Sequence, residues 1–553
     1  MIMIKSKRHF VIAFTLLITT TFSFANETIP NITDPGDSLK SAPENWFNLD
    51  PTADKIRGVG TERAYKELLK GKKSKKVVVA VIDSGIDIDH EDLKDVIWKN
   101  DGEVAGNGKD DDGNGYVDDV HGWNFIGGKD GENVDADTYE LTREYVRLNK
   151  KYKDVDPASL SKKEKVEFAY YEKVKKEYEE SAKSAQEDYN YIVNFYESFK
   201  YADRLIKAYL NTEDLKAEDL SKINSTDERI TQSKSLLELT IANNLTEEVF
   251  NEQLDYLTDQ VEFGYNPDFN SREIIGDNYE DKSEKIYGNN DVTGPDATHG
   301  THVAGIIAAN RNNDIGIKGI ADNVEIMVIR AVPNGDERDK DVANAIRYAV
   351  DNGAQVINMS FGKSYSPYKE VVDEAVKYAE SKGVLLVHAA GNDAKNLDEN
   401  TNFPTKTFKG SKKAAKNWLE IGALSWGDES NFVGSFSNYG KKSVDIFSPG
   451  VDIYSTVPGS KYQAQNGTSM AAPVAAGTAA LIMSYYPDLS AVTVKDIILK
   501  SSVKFGDLMV NKPNEEGEDT KIKFSELSST GGIVNVYEAL KMAESMSIKN
   551  KKR

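Results

Sequence analysis

Val77-Val78-Val79-Ala80-Val81-Ile82 is an unbroken apolar run that ends at Asp83-Ser84-Gly85. A β-branched run without polar alternation predicts a strand that is buried on both faces, as in a parallel sheet. Similar runs recur at 324–329, 356–359, 384–387 and 419–424, and helical patterns alternate with them at 341–351 and 368–381. This alternation predicts a doubly wound α/β sheet, in which functional groups belong at the carboxyl ends of the strands.

The composition of the 553 residues excludes several classes of protein. A net charge of −21 argues against a nucleic-acid-binding protein, which needs a basic face. The chain has no cysteine, so it contains no disulfide, no thiolate metal site, no cysteine nucleophile and no cysteine-linked lipid anchor. An exported protein without disulfides needs another source of rigidity, and a bound metal ion is one candidate.

The first 25 residues have the pattern of an export signal. Lys5, Lys7 and Arg8 precede an apolar run at 10–24, and the small residue Ala25 ends it. This pattern predicts a signal peptide at 1–25, secretion or a periplasmic location, and no stable membrane span after cleavage. The alternative is an uncleaved membrane anchor. An N-terminal extension at 26–75 then leads to the first strong strand.

A segment at 130–284 interrupts the α/β pattern of 76–545 with charged and tyrosine-rich sequence. Its apolar residues step by threes and fours: Tyr178, Ala182, Ala185, Tyr189, Ile192, Tyr196 and Phe199. This spacing predicts a helical, coiled-coil-like insertion, an antiparallel hairpin that projects from the main body and that could bind a protein partner. The alternative is a charged, partly disordered linker. A basic tail at 546–553 ends the chain.

Three elements carry residues suited to nucleophilic catalysis. Ser469 follows a tight turn at the start of an Ala- and Gly-rich helix, where a helix N-cap is the common alternative role. His299 heads a second small-residue helix and is the best general base among the five histidines outside the signal segment, whereas His302 is expected to make a structural hydrogen bond. Asp83 ends the first buried strand, where a lone Asp is usually a turn former. Together, in the order Asp, His and Ser, these residues suit one cleft.

Four short blocks resemble those of subtilisin-like serine proteases. They are Asp83-Ser84-Gly85-Ile86, His299-Gly300-Thr301-His302-Val303-Ala304-Gly305, Ala389-Ala390-Gly391-Asn392 and Gly467-Thr468-Ser469-Met470-Ala471. The resemblance covers about 77–128 and 288–545. Val474 stands where members of the family often have histidine, at a structural position. No large pro-domain separates the signal from the first strand.

The resemblance implies a reaction and a set of roles. Ser469 is the nucleophile, His299 is the general base, Asp83 orients the imidazole, and the Asn392 side chain completes the oxyanion hole. Ser360-Phe361-Gly362 and Gly391 are implied to bind the substrate backbone and to line the main specificity pocket. The substrates would be proteins or peptides, and no organic cofactor is required.

A second constellation has the spacing of a calcium loop. Asp110, Asp112, Asn114, Tyr116 (through its carbonyl) and Asp118 occupy positions 1, 3, 5, 7 and 9, and a glycine occupies position 6. Histidine replaces the usual glutamate at position 12, so the bidentate ligand must come from elsewhere, and Asp119 is a candidate. The sequence therefore predicts structural calcium, and the alternative is a solvated acidic turn.

The expected function is that of an exported serine endopeptidase that works through an acyl-enzyme intermediate. The alternative is a scaffold or binding protein that acts through the helical insertion and for which catalysis is secondary. An intact set of catalytic residues with Asn392 argues against the alternative, since an inert scaffold does not need all four.

Overall fold

The computed structural model describes residues 41–427, 431–514 and 520–551. The predicted signal peptide at 1–25 and the first part of the predicted extension at 26–75 lie outside the described residues. The chain divides into two compact units, Ala136–Ser271 and the remainder, formed by the chain up to Asp135 together with Arg272–Arg553.

The described elements of the larger unit are alternating strands and helices, and those of the smaller unit are helices. In chain order they are α1 (Thr61–Ala64), β1 (Val77–Asp83), β2 (Gly122–Asn124), α2 (Glu140–Tyr152), α3 (Lys162–Leu210), α4 (Ala217–Leu220), α5 (Glu228–Ala242), α6 (Glu247–Asp259), α7 (Arg272–Ile275), α8 (Thr298–Ala308), β3 (Val324–Arg330), α9 (Asp339–Asp351), β4 (Val356–Met359), α10 (Lys369–Lys382), β5 (Leu385–Ala389), β6 (Trp418–Leu424), β7 (Ile446–Pro449), β8 (Ile453–Val457), β9 (Lys461–Gln465), α11 (Thr468–Tyr485), α12 (Ala491–Lys500), β10 (Val503–Lys504), β11 (Met509–Asn511), β12 (Lys521–Lys523), β13 (Gly532–Ile533) and α13 (Val536–Lys551).

Among the described residues, nine strands form one sheet in the order β10-β13-β7-β6-β5-β4-β1-β3-β2. Apart from the β10–β13 pair, its neighbouring strands are parallel. Strand β1 lies in the interior of the sheet between β3 and β4, and further strands follow on both sides. The predicted α/β class with a parallel sheet is confirmed, and the carboxyl end of β1 is the point where ligands bind in such sheets.

Strand β1 is buried on both faces, as its sequence predicts. Val77, Val79 and Val81 pack into the core that contains α8 and α11. Ala80 and Ile82 pack into the opposite core, which contains α9 and α10. The side chains of one strand therefore fill both layers, which is why the strand carries no polar alternation.

The two small-residue helices lie close to their neighbours. A methyl group added at Gly305 in α8 would overlap the hydroxyls of Ser455 and Thr456 on β8, and one added at Gly477 in α11 would lie 2.8 Å from Ile320 Cβ. This close approach is possible only without a side chain. The first turns of α8 and α11 are thereby held at fixed positions beside the sheet.

The unit Ala136–Ser271 is helical, and its longest element is the 49-residue helix α3. Helix α2 runs antiparallel to the start of α3, because Tyr152 contacts Tyr171 and Tyr145 stacks on Tyr178. Helix α6 packs against a later part of α3, where Phe250 stacks on Tyr196. The predicted positions Tyr178, Ala185, Ile192 and Tyr196 are buried on α3. Several shorter helices, rather than a single partner, cover the long one.

No helix within residues 41–427, 431–514 and 520–551 combines the length and apolar character needed to cross a membrane.

Candidate active site

Asp83 and His299 form a buried pair at the end of β1. The Nδ1 atom of His299 lies 2.5 Å from Oδ1 of Asp83, and the N–H of Ser84 also donates to that oxygen, at 2.8 Å. Glycine at 300 permits this approach, because a methyl group there would overlap the carbonyl oxygen of Gly85. The start of α8 and the end of β1 therefore meet through residues close to His299 and Asp83 in the sequence.

The hydrogen bond fixes the chemistry of His299. Since the Asp83 carboxylate accepts a hydrogen bond from the Nδ1–H group, the neutral imidazole carries its lone pair on Nε2. Burial lowers the pKa of His299 below its usual 6.5, and the charge of Asp83 opposes that shift. Nε2 is buried and has no hydrogen-bond partner among the described residues. His299 is thus a neutral base with a free acceptor at neutral pH.

Ser469 lies in the first turn of α11, next to the carboxyl end of β4. Its Oγ donates to the carbonyl oxygen of Ser360 at 3.2 Å, and Ser360 Oγ donates to the Ser469 carbonyl oxygen at 2.9 Å. Because β4 pairs with β1, with Ile82 beside Met359, the strand ends that carry Ser360 and Asp83 are adjacent. In this rotamer the hydroxyl makes no hydrogen bond with Nε2 of His299. Rotation about the Cα–Cβ bond of Ser469 would redirect the hydroxyl, and hydrogen bonds of this kind commonly form only with substrate bound.

Thr468 orients Asn392. Oδ1 of Asn392 accepts from both the N–H and the Oγ1 of Thr468, each at 2.9 Å, and Thr468 Oγ1 accepts from the Gly391 N–H at 3.0 Å. With its oxygen held in this way, the Asn392 side chain keeps its Nδ2 donors for another group. The N–H of Ser469 also has no intrahelical acceptor, because it lies in the first helical turn. Two donors are thus available beside the serine.

The two predicted substrate-binding segments follow neighbouring strands. Ser360-Phe361-Gly362 continues from β4, and Gly391 follows β5, which pairs with β4. The carbonyl oxygen of Phe361 accepts from Nε2 of His388 at 2.9 Å, and Nδ1 of His388 lies 2.9 Å from Oε1 of Glu420. These buried contacts connect Phe361 to β5 and β6.

His302 makes the structural contact that its position suggests. Its Nε2 donates to the Gln463 carbonyl oxygen at 3.0 Å. Complete burial lowers the pKa of His302 to about 3, so this ring stays neutral. It binds the β9 strand to α8 and leaves His299 as the ring beside Asp83.

The acidic loop uses part of the predicted ligand set to hold its own backbone. Asp110 accepts from the N–H groups of Gly113, Asn114 and Gly115. The carboxylate of Asp118 is turned toward the chain at 107–108 and accepts from both of those N–H groups. The Tyr116 side chain packs against Trp123, Phe125 and Tyr348.

A cluster of three carboxylates forms beside this loop. Glu103, Asp112 and Asp119 each place an oxygen within 4.8 Å of the others. Burial raises the pKa of Asp119 to about 6. The Nδ2 groups of Asn100 and Asn114 donate to both Asp112 and Asp119. The structure therefore brings Asp112 and Asp119 together with Glu103, which the loop spacing did not predict.

Three residues near Ser469 and the Ser360–Gly362 segment were not predicted from the sequence. Thr468 stands in the serine block, but its contact with Asn392 depends on the fold. His388 and Glu420 are buried neighbours on β5 and β6, and nothing in their local sequence signals a contact with Phe361. Only the serine block itself gave a detectable signal.

The chain is similar to known proteins over most of its length. The model of the subtilase family matches residues 74–522. The chain is 44% identical over 187 residues to a thermophilic serine proteinase of Bacillus sp. (strain AK1), covering 34% of this chain and 42% of that protein. It is 38% identical over 213 residues to subtilisin DY of Bacillus licheniformis, covering 38% and 72%. It is 37% identical over 209 residues to subtilisin Savinase of Lederbergia lenta, covering 38% and 71%. The match thus spans less than half the length of the first of these relatives.

Proposed function

The chain belongs to the subtilase family, and we propose that it is a serine endopeptidase in which Asp83, His299 and Ser469 hydrolyse peptide bonds. The observation that carries the proposal is the 2.5 Å contact between His299 Nδ1 and Asp83 Oδ1, which leaves a free Nε2 acceptor. Ser469 supports it, because its hydroxyl is held at the adjacent strand end.

In the first half of the reaction, Ser469 Oγ attacks the carbonyl carbon of the scissile bond. Its proton passes to Nε2 of His299, and the Asp83 carboxylate stabilises the imidazolium. The oxygen that becomes negative receives hydrogen bonds from Asn392 Nδ2 and from the Ser469 N–H. Collapse of this intermediate breaks the C–N bond, and the leaving amine takes the proton from Nε2. An ester on Ser469 remains.

In the second half, water replaces the amine. His299 removes one proton from the water as its oxygen attacks the ester carbonyl, and the same two donors stabilise the second oxyanion. The C–O bond to Ser469 then breaks, and the serine oxygen regains a proton from Nε2. The carboxylic acid product leaves, and the enzyme returns to its starting state without an organic cofactor.

An extended peptide is the substrate that fits this proposal. The backbone of Ser360–Gly362 continues beyond β4 and offers N–H and carbonyl groups to a parallel or antiparallel partner chain. Gly391 presents no side chain next to Asn392, so a substrate backbone can approach the oxyanion donors closely.

We also propose structural calcium at Glu103, Asp112 and Asp119. Three carboxylate oxygens within 4.8 Å of one another are ligands of the kind that Ca²⁺ prefers. Burial disfavours the charged form of Asp119, and a cation would relieve that cost. The amide donors of Asn100 and Asn114 now occupy positions around these oxygens. A bound ion would stiffen the loop at 103–119 and would take no part in peptide-bond cleavage.

We also propose that the protein is exported. The charged, apolar and small-residue pattern at 1–25 supports export to the periplasm or the exterior.

Ala136–Ser271 exposes several tyrosines, among them Tyr191, Tyr201 and Tyr209, which suit contact with another protein. Deleting 139–262 tests this role. Unchanged cleavage of both small peptides and whole proteins would show that the unit does not select substrates.

The direct test of the proposed activity is hydrolysis of an unfolded protein by the wild-type chain and by the Ser469→Ala variant. We expect internal cleavage by the wild type, with products identified by mass spectrometry, and a loss of about 10⁴-fold or more in the variant. Equal cleavage by both proteins would contradict the proposal.

A further inference from the structure

We propose that Asn402 closes the bottom of the specificity pocket and restricts the residue before the cleaved bond, the P1 residue, to glycine, alanine and serine. This inference rests on the proposed endopeptidase function and deepens it by naming a substrate class. It starts from a side chain that lies between the two substrate-binding segments and that the sequence did not single out.

Under the proposed function, the two segments are the opposite walls of one pocket. They continue from β4 and β5, whose register places Met359 beside His388. Three residues further along each strand, Gly362 on one wall therefore lies at the level of Gly391 on the other. Since Asn392 and Ser469 hold the reacting carbonyl group at the top, the P1 side chain enters between the two glycines.

The side-chain amide of Asn402 occupies the space between these glycines. A methyl group added at Gly362 would overlap both Oδ1 and Nδ2 of Asn402. One added at Gly391 would lie 3.2 Å from Nδ2 of Asn402. A side chain that is in reach of both Cα positions fills the gap that a large P1 group would otherwise use.

Hydrogen bonds fix the orientation of this amide. Its Nδ2 donates to the carbonyl oxygens of Ala389 and Ala390, at 3.2 and 3.1 Å. Because both partners are obligate acceptors, the nitrogen must face them, and the oxygen must face the Gly362 wall. Oδ1 accepts no hydrogen bond from the described residues. An acceptor therefore lies on the Gly362 side of the pocket, which suits the hydroxyl of a serine at P1.

The backbone that carries Asn402 is bound to the opposite wall. Phe403 donates from its N–H to the Lys363 carbonyl oxygen at 2.8 Å, and the Lys363 N–H donates to the Phe403 carbonyl oxygen at 3.0 Å. Asn402 is therefore connected to the first wall by its neighbour and to the second wall by its side chain. Moving it aside for a larger P1 group would break hydrogen bonds on both walls.

Steric exclusion of this kind gives a measurable preference. One misplaced carbon group in a rigid pocket typically changes kcat/KM by about 10–200-fold, and an aromatic ring adds several such groups. We therefore expect kcat/KM for alanine or serine at P1 to exceed that for phenylalanine by about 100-fold or more in the wild type.

The experiment uses the full chain and peptide anilides that differ only at P1, with glycine, alanine, serine, leucine or phenylalanine. In Asn402→Gly we expect kcat/KM for phenylalanine to rise about 10–100-fold, while that for alanine changes by less than about 5-fold. Asn402→Ala should fall between the two proteins. The matched control is Thr401→Gly, which places a glycine at the preceding exposed position and should keep the wild-type preference.

Labelling of Ser469 with a fluorophosphonate distinguishes failure of the pocket inference from failure of the proposed function. If the wild type is labelled but cleaves after phenylalanine as well as after alanine, the pocket inference is wrong. The same holds if labelled Asn402→Gly keeps the wild-type ratio, or if Thr401→Gly shifts the ratio equally. If Asn402→Gly is not labelled because it fails to fold, the ratio in Asn402→Ala decides in the same way. A folded wild type that is neither labelled nor active would overturn the proposed function itself.

Discussion

The imidazole Nδ1 of His299 lies 2.5 Å from the Asp83 carboxylate, while its Nε2 is buried without a partner among the described residues. The ring is therefore oriented from one side and free on the other, as a general base must be. Burial favours the neutral form and Asp83 favours the charged form, and burial is the larger effect.

A pH profile tests this balance. Since only neutral His299 accepts a proton, kcat/KM should rise with pH, with an apparent pKa below 6.5. In Asp83→Asn the remaining activity should show a still lower apparent pKa, because the charge that raises the pKa of His299 is gone. The measurement is peptide hydrolysis between pH 4 and 9. An unchanged or higher apparent pKa in the variant would contradict the account.

Replacing Asn392 removes one oxyanion donor. We expect Asn392→Ala to lower kcat by about 10²–10³-fold with little change in KM, since the lost hydrogen bond forms fully only in the transition state. Steady-state kinetics on one peptide measures both constants. The matched control is Asn400→Ala, an exposed asparagine whose side chain donates to the carbonyl oxygen of Asn396 in its own loop. An effect confined to KM would assign Asn392 to ground-state binding instead.

Thr468 should act through Asn392. Thr468→Val keeps the shape of the side chain but loses the hydroxyl that donates to Asn392 Oδ1, and we expect kcat to fall about 10-fold. Thr468→Ser retains the hydroxyl and should stay near wild type. In an Asn392→Ala background the valine substitution should cost less than about 2-fold more. Full additivity of the two losses would show that Thr468 acts independently of Asn392.

Calcium should stabilise the folded protein through the carboxylate cluster. At 100 times its dissociation constant, a ligand adds about 2.7 kcal/mol, so calorimetry should show Tm several degrees higher in calcium than in a chelator. Glu103→Gln should reduce this difference. Asp118→Asn should retain it, because the Asp118 carboxylate bonds to the backbone at 107–108. Loss of the calcium effect in Asp118→Asn alone would favour the ligand set read from the loop spacing.

Strand ends and helix heads were predictable from the sequence because they depend on local pattern. The unbroken run before Asp83 predicts a buried strand, and the small residues after His299 and Ser469 predict closely packed helices. Strand β9 (Lys461–Gln465) is partly exposed and polar, so no apolar run indicated it. Its pairing with β8 depends on contacts that the pattern does not contain.

Contacts between segments distant in sequence were not predictable. Asp119 is a clear example, since its carboxylate accepts a hydrogen bond from Tyr348 on α9, more than 200 residues away. Asn402 likewise meets Gly362 and Gly391 only because two parallel strands deliver their loops side by side. The spacing of residues within one loop indicates candidate calcium ligands, but side-chain direction and tertiary packing decide which carboxylate oxygens come together.

Covalent labelling by a fluorophosphonate, with the modified residue mapped by mass spectrometry, most directly tests whether Ser469 is the nucleophile. We expect one label, on Ser469, in the folded wild-type protein, and slower labelling below the pKa of His299. Ser469→Ala should take no label, and His299→Ala should take it much more slowly. A folded protein that remains unlabelled, or one labelled at another serine with Ser469 intact, would contradict the account.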